Sequence, residues 1–188
     1  MKFRPFVILF AAALSAPPAL LHAEAANPRQ TTIGTLLTAL KHAPSEAAAA
    51  PIEHRLRELW LNAGSPAVTL LMGRGLRELK AGEYAQAIED FGDAIVLDPK
   101  LAEAYHQRAI ARYHAGDTAG AIADIGAALQ QEPNDFAALE TLAEIAEARE
   151  NWKGAYEAWG KLLQIDPMAR GGQDHLKELK RKAFGEET

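Results

Sequence analysis

Apolar residues along this chain recur at helical spacing, and from about residue 68 they do so in copies 34 positions apart. Ala87, Ile88, Phe91 and Ile95 draw one stripe at i, i+1, i+4, i+8, and Ala121, Ile122, Ile125 and Leu129 draw the same stripe again. Turn signals at Ala81-Gly82-Glu83, Ala115-Gly116-Asp117 and Glu150-Asn151 split each copy into two helices. Strand-type alternation of useful length is absent from the sequence, so the pattern predicts an all-α structure.

The copies are in strict register. Proline follows an acidic residue at Asp98-Pro99, Glu132-Pro133 and Asp166-Pro167. Alanine precedes each proline by twelve positions (Ala87, Ala121, Ala155), a bulky apolar residue by eight (Phe91, Ile125, Trp159) and a small residue by twenty-four (Gly75, Ala109, Ala143). Small side chains let two helices approach closely, while proline cannot continue the helical hydrogen bonding and restricts its predecessor. A fixed period of this size marks a stacked repeat array.

Charged residues inside the repeats change in pairs. Arg74 precedes Asp90 by sixteen residues, and Arg108 precedes Asp124 by sixteen; in the third copy both positions turn apolar together, as Leu142 and Ala158. We read Arg74–Asp90 and Arg108–Asp124 as ion pairs between the two helices of one repeat. Removing one partner of a buried pair strands a charge at roughly 3–5 kcal/mol, so paired exchange is the expected pattern.

Outside the repeats, Ile33, Leu36, Leu37 and Leu40 make 31–40 an amphipathic helix, and Ile52, Leu56, Leu59 and Trp60 do the same for 52–61. The segment 43–51 (APSEAAAAP) between them reads as a connection. Asn62-Ala63-Gly64-Ser65-Pro66 ends the second helix, with Ser65 or Pro66 opening the next. This hairpin is expected to cover the open end of the first repeat. Gly171-Gly172 breaks the chain at the far end, and 174–183 reads as a capping helix with Leu176 and Leu179 inward and Lys177, Lys180 and Arg181 outward. The expected organisation is an export signal at 1–25, helix and linker at 26–50, a capping helix at 51–66, repeats at 68–101, 102–135 and 136–169, and a C-terminal cap at 170–188.

Over about 68–167 these registers resemble the tetratricopeptide repeat (TPR) family, whose unit is a 34-residue helix–turn–helix. The resemblance implies a right-handed superhelical array of three repeats whose first helices line a concave, peptide-binding groove. Three matched rows then face the groove: Met72, Leu76, Leu79; His106, Ile110, Tyr113; and Glu140, Glu144, Glu147. His106, Gln107, Ile110, Tyr113, Glu140 and Glu144 are the expected peptide-binding residues, suited to a ligand with an apolar part and a basic part. Arg74 with Glu78, and Arg108 with Arg112, stand where the family often has leucine and tyrosine. The cationic clamp by which some family members hold chaperone C-termini is not carried over, because its positions hold Met72, Leu76, Gln107, Ala137 and Thr141.

Composition then narrows the setting. Lys2 and Arg4 precede the apolar run 6–14, and Ala23-Glu24-Ala25 offers a small-x-small cleavage site, so an export signal cleaved after about Ala25 is expected. The alternative is an uncleaved inner-membrane anchor, which Arg4 and Pro17-Pro18 weaken. No cysteine is present, hence neither a disulfide framework nor a lipid-anchoring cysteine. The alanine-rich, cysteine-free style points to a bacterial periplasm. The net charge of −5 becomes more negative once Lys2, Arg4 and Glu24 are removed, a poor basis for binding nucleic acid.

Catalytic chemistry finds no footing in the sequence. There is no cysteine nucleophile, Gly-rich phosphate loop or His-Glu-x-x-His run, and Ser15, Ser45 and Ser65 lie in the signal or in connections. His106 and His114, eight apart with Glu103 nearby, lack the i, i+4 ligand pairing of a metal site, so neither metal nor cofactor is expected. The reading is a non-enzymatic adaptor binding an unidentified envelope protein or peptide, without membrane insertion of the mature chain. The alternative is a structural or self-associating subunit using convex or terminal-helix surfaces, where Trp152 and Tyr156 would matter more.

Overall fold

The structure is a computed structural model that describes residues 27–185, and the export signal expected at 1–25 lies outside them. The described residues form helices α1 (Pro28–Lys41), α2 (Glu46–Leu61), α3 (Pro66–Ala81), α4 (Tyr84–Leu97), α5 (Ala102–His114), α6 (Thr118–Gln131), α7 (Phe136–Ala148), α8 (Trp152–Ile165) and α9 (Gly172–Phe184). The fold is all-α. Helices α3–α8 pack as three successive pairs into a superhelical array, and α9 packs on α8.

The repeated sequence signals have repeated physical causes. Gly82 and Gly116 adopt left-handed backbone (φ 80° and 88°) after the first helix of their pairs, so that Glu83 N–H reaches Glu78 C=O and Asp117 N–H reaches Arg112 C=O. In the third copy Glu150 takes this conformation at φ 57°, where glycine would be unstrained. The acid before each proline caps its own turn: Asp98 accepts from Lys100 N–H, Glu132 from Asn134 N–H and Asp166 from Met168 N–H, at 3.1–3.2 Å. Gly75 is small for a visible reason. A Cβ there would lie 2.7 Å from the Phe91 ring.

Two sequence expectations fail at the N-terminal hairpin. The segment 43–51 is not simply a connection, because α2 starts at Glu46 and carries Pro51 inside it. The Ser45 side chain accepts from Ala48 N–H, and the alanines that follow are strong helix formers. That local preference outweighs the single hydrogen bond that Pro51 cannot donate.

Nor does the hairpin cap the first repeat. Ile33, Leu40, Ala49, Leu56 and Trp60 share one core with Phe136, Leu139, Trp159 and Leu162 of the third repeat. Helix α2 runs back along the array. Its start meets the α8–α9 junction, where Gly171 N–H donates to Glu46 Oε1 (3.2 Å); Trp60 packs on Phe136 with ring centroids 5.4 Å apart; and Leu61 reaches the core of the first repeat. Met72 is buried in that first core with Phe91 and Ala94. Leu70 and Val96 on the first repeat stay 70% and 78% exposed.

At the other end α9 behaves as a cap. Leu179 is buried, Trp159 Nε1–H donates to Gly172 C=O (2.8 Å), and the His175 ring stands edge-on to Trp159. None of the described helices is long and apolar enough to cross a membrane.

Candidate functional site

The face formed by α3, α5 and α7 is partly roofed by α2. Between them lies a cavity of about 350 Å³ lined by His54, Arg57 and Glu58 of α2, Leu76 of α3, His106 and Gln107 of α5, and Ala137 of α7. The expected groove residues therefore divide into a covered set and an open set.

His106 belongs to the covered set and is only 4% exposed. Its Nε2 is 3.0 Å from Thr141 Oγ1, and the Thr141 hydroxyl donates to Ala137 C=O (3.1 Å). With that hydroxyl hydrogen committed, Thr141 accepts and His106 Nε2 carries the proton. Nδ1 then faces two carboxylates, Glu103 Oε2 at 3.9 Å and Asp135 Oδ2 at 4.0 Å, and hydrogen-bonds to neither. Burial pulls the imidazole towards its neutral form, but Glu103, Asp135 and Glu140 outweigh it and hold its pKa above the ordinary value.

Asp135 is fully buried because it caps α7, its Oδ1 accepting from Ala138 N–H (3.0 Å). Burial, aided by the charges of Glu103 and Glu132, pushes its carboxyl up to about 6. Gln107 Nε2 donates to Glu103 Oε1 at 2.7 Å. Sequence spacing pairs Glu103 with His106 on one helix turn, but Asp135 enters from the cap of α7. Its only sequence signal is its place two residues after Pro133.

The acidic row is less uniform than its spacing suggests. Glu140 is half-buried, and burial together with Glu144 raises its pKa against the pull of Arg57. Glu147 is tied to His175 of α9 at 2.8 Å. Glu144 is exposed, and Ile110 and Tyr113 are partly so. These three form the open set.

The arginines lie where pairing requires. Arg74 Nε and Nη2 donate to the two oxygens of Asp90, and Arg108 Nε and Nη2 donate to those of Asp124 at 2.8 and 2.7 Å. Both aspartates are buried. Arg112 Nη1 joins the second pair at 2.9 Å from Asp124 Oδ2, a contact that the sixteen-residue spacing did not reveal.

Stacked helix pairs, a concave face and a closing helix define the chain as a helical-repeat protein. Residues 75–116 match the family described as TPR repeat. A TPR repeat-containing protein of Rhizobium etli is 28% identical over 162 residues, covering 86% of this chain and 79% of the relative. The chain is thus similar to tetratricopeptide-repeat proteins in its sequence and in its fold.

Solved structures share the fold. The first TPR of Spaghetti (RPAP3), bound to an HSP90 peptide, has a TM-score of 0.58 at 19% identity, over 63% of this chain and 94% of that one. The TPR2B domain of yeast Sti1, in complex with pHsp70, has a TM-score of 0.55 at 21% identity, over 64% and 96%. The MamA protein has a TM-score of 0.51 at 20% identity, over 83% and 90%.

Proposed function

We propose that this chain is a non-enzymatic protein-interaction adaptor of the bacterial cell envelope, whose concave groove takes a peptide or flexible segment of another envelope protein. One observation carries the reading: the chain already lays an amphipathic helix of its own, α2, against that face, with Leu56 and Trp60 buried and Arg57 beside Glu140. A ligand helix that buries apolar residues and brings a cation to the glutamates reproduces those contacts. Two proteins of similar fold were captured with an HSP90 peptide and with pHsp70, which supports the same use of the face here. The absence of a cationic clamp at Met72, Leu76, Gln107, Ala137 and Thr141 argues for an apolar and basic ligand instead of an acidic tail.

Ile110, Tyr113 and Glu144 are open to a partner, and His106, Gln107 and Glu140 become available as α2 lifts. Export with removal of the leader after about Ala25 would deliver the adaptor to the periplasm. Retention of the leader would instead leave it tethered to the inner membrane.

The test is capture from an envelope extract with the parent chain and with a Tyr113→Ala, Glu144→Lys variant of unchanged helicity, reading the intact mass of each exported bait. The expected result is a partner held by the parent and lost by the variant, on a bait lacking residues 1–25. Equal recovery by both baits sinks the groove assignment. A second reading, a self-associating structural subunit, draws on the exposed Leu70, Val96 and Leu97 of the first repeat. It predicts a concentration-dependent dimer with no partner added.

A further inference from the structure

We propose that Glu103, His106 and Asp135 form a binding site for one divalent transition-metal ion, with Zn²⁺ the best-matched occupant. The three residues are buried, and one ligand atom from each lies within 4.8 Å of the others. Two of those atoms, His106 Nδ1 and Asp135 Oδ2, have no hydrogen-bond partner. Their separation of 4.0 Å, and the 3.9 Å from Nδ1 to Glu103 Oε2, are too long for hydrogen bonds. A cation at about 2.0–2.2 Å from each would draw these atoms together by about half an ångström.

The surrounding bonds hold the ligands in the state a metal requires. Thr141 keeps the His106 proton on Nε2, which leaves the Nδ1 lone pair facing the two carboxylates. Ala138 N–H holds the other oxygen of Asp135, and Gln107 holds the other oxygen of Glu103. Each ligand is thus fixed through its second polar atom.

Charge points the same way. Two buried carboxylates beside a single imidazole concentrate negative charge, which a divalent ion neutralises. A set of one imidazole and two carboxylates matches zinc, with the remaining position left to water. The cavity beside Glu103 and His106 offers room for that water and a route for the ion. Because Asp135 caps α7 and the other two residues lie on α5, the ion would tie α5 to the start of α7 beneath α2. This site shares His106 with the covered part of the groove but does not depend on the peptide reading.

The test is titration of chelator-treated full-length protein with ZnCl₂, followed by calorimetry and by the unfolding midpoint. One ion per chain and a raised midpoint are expected. Asparagine caps helices as well as aspartate does, so Asp135→Asn retains the bond to Ala138 N–H while removing the anionic ligand. It should weaken Zn²⁺ binding by about tenfold or more. His175→Gln should bind as the parent does, which separates the site from the surface pair His175–Glu147.

No Zn²⁺ uptake by the parent at micromolar concentration overturns the proposal, as it would if a water bridges a protonated His106. Parental affinity in both Asp135→Asn and Glu103→Gln also overturns it. Should Asp135→Asn not fold, Glu103→Gln alone decides.

Discussion

At the scale of single residues, the buried ion pairs carry the most consequence. Asp124 accepts from both Arg108 and Arg112, so each removal has a distinct cost. Arg108→Leu leaves Asp124 with one cation, whereas Asp124→Ala strands Arg108 and leaves Arg112 with Asp117. The double change Arg108→Leu with Asp124→Ala recreates the apolar pair of the third repeat, Leu142 and Ala158. Asp124→Ala should cost about 3–5 kcal/mol, and the double variant should be less destabilised than the sum of the singles by about 1–3 kcal/mol. Denaturant unfolding of the three variants checks this, and strict additivity would remove the pair as a stabilising unit. The pairing was legible because both members change together in copy three. Arg112 was not, because helical spacing along one chain does not report which side chains of neighbouring turns reach a common carboxylate.

At the scale of elements, the docking of α2 carries a pH dependence. Burial and the neighbouring Glu53 push the Asp166 carboxyl up to about 6. An acid whose folded pKa lies above its unfolded value of about 4 keeps a proton that the unfolded chain releases. Its contribution is therefore full below about pH 4 and is lost as pH rises towards 6. Glu53→Gln removes the repulsion at the cost of an exposed contact with Arg57 (3.2 Å), a kind worth at most about 1 kcal/mol. Relative to the parent, the variant should gain stability as pH is raised from 4 to 7, as read from thermal midpoints. A difference that is flat or falls over that range would refute the Glu53–Asp166 coupling.

The same element illustrates where local reading fails. Pro51 and the run around it look like a linker by composition, yet Ser45 and four alanines start the helix upstream of the proline. The stripe of Ile52, Leu56, Leu59 and Trp60 was visible. The surface it buries against was not, since any apolar groove of suitable width satisfies it.

At the scale of the whole molecule, the hairpin folding back onto the third repeat sets how much of the groove is free. Trp60 is central to that docking, being buried against Phe136. Trp60→Ala should cost about 3–5 kcal/mol, and the loss should fall on α1 and α2 while the paired repeats persist. Hydrogen exchange by segment checks this: protection is expected to vanish over 28–61 and to remain over 66–165. A uniform loss along the chain would instead make the hairpin an integral part of the array core.

The sequence by itself determined the repeat period, the helix pairs, the turn glycines, the acid–proline helix ends and the pairs Arg74–Asp90 and Arg108–Asp124. Each depends on spacing within about one repeat, where chain connectivity limits the arrangements that sterics and hydrogen bonding allow. Tertiary structure alone decided that α1 and α2 cross to the third repeat, that Asp135 meets Glu103 and His106, and that the groove divides into covered and open parts. Those outcomes depend on which distant surfaces bury the most apolar area together, a choice that no local period encodes.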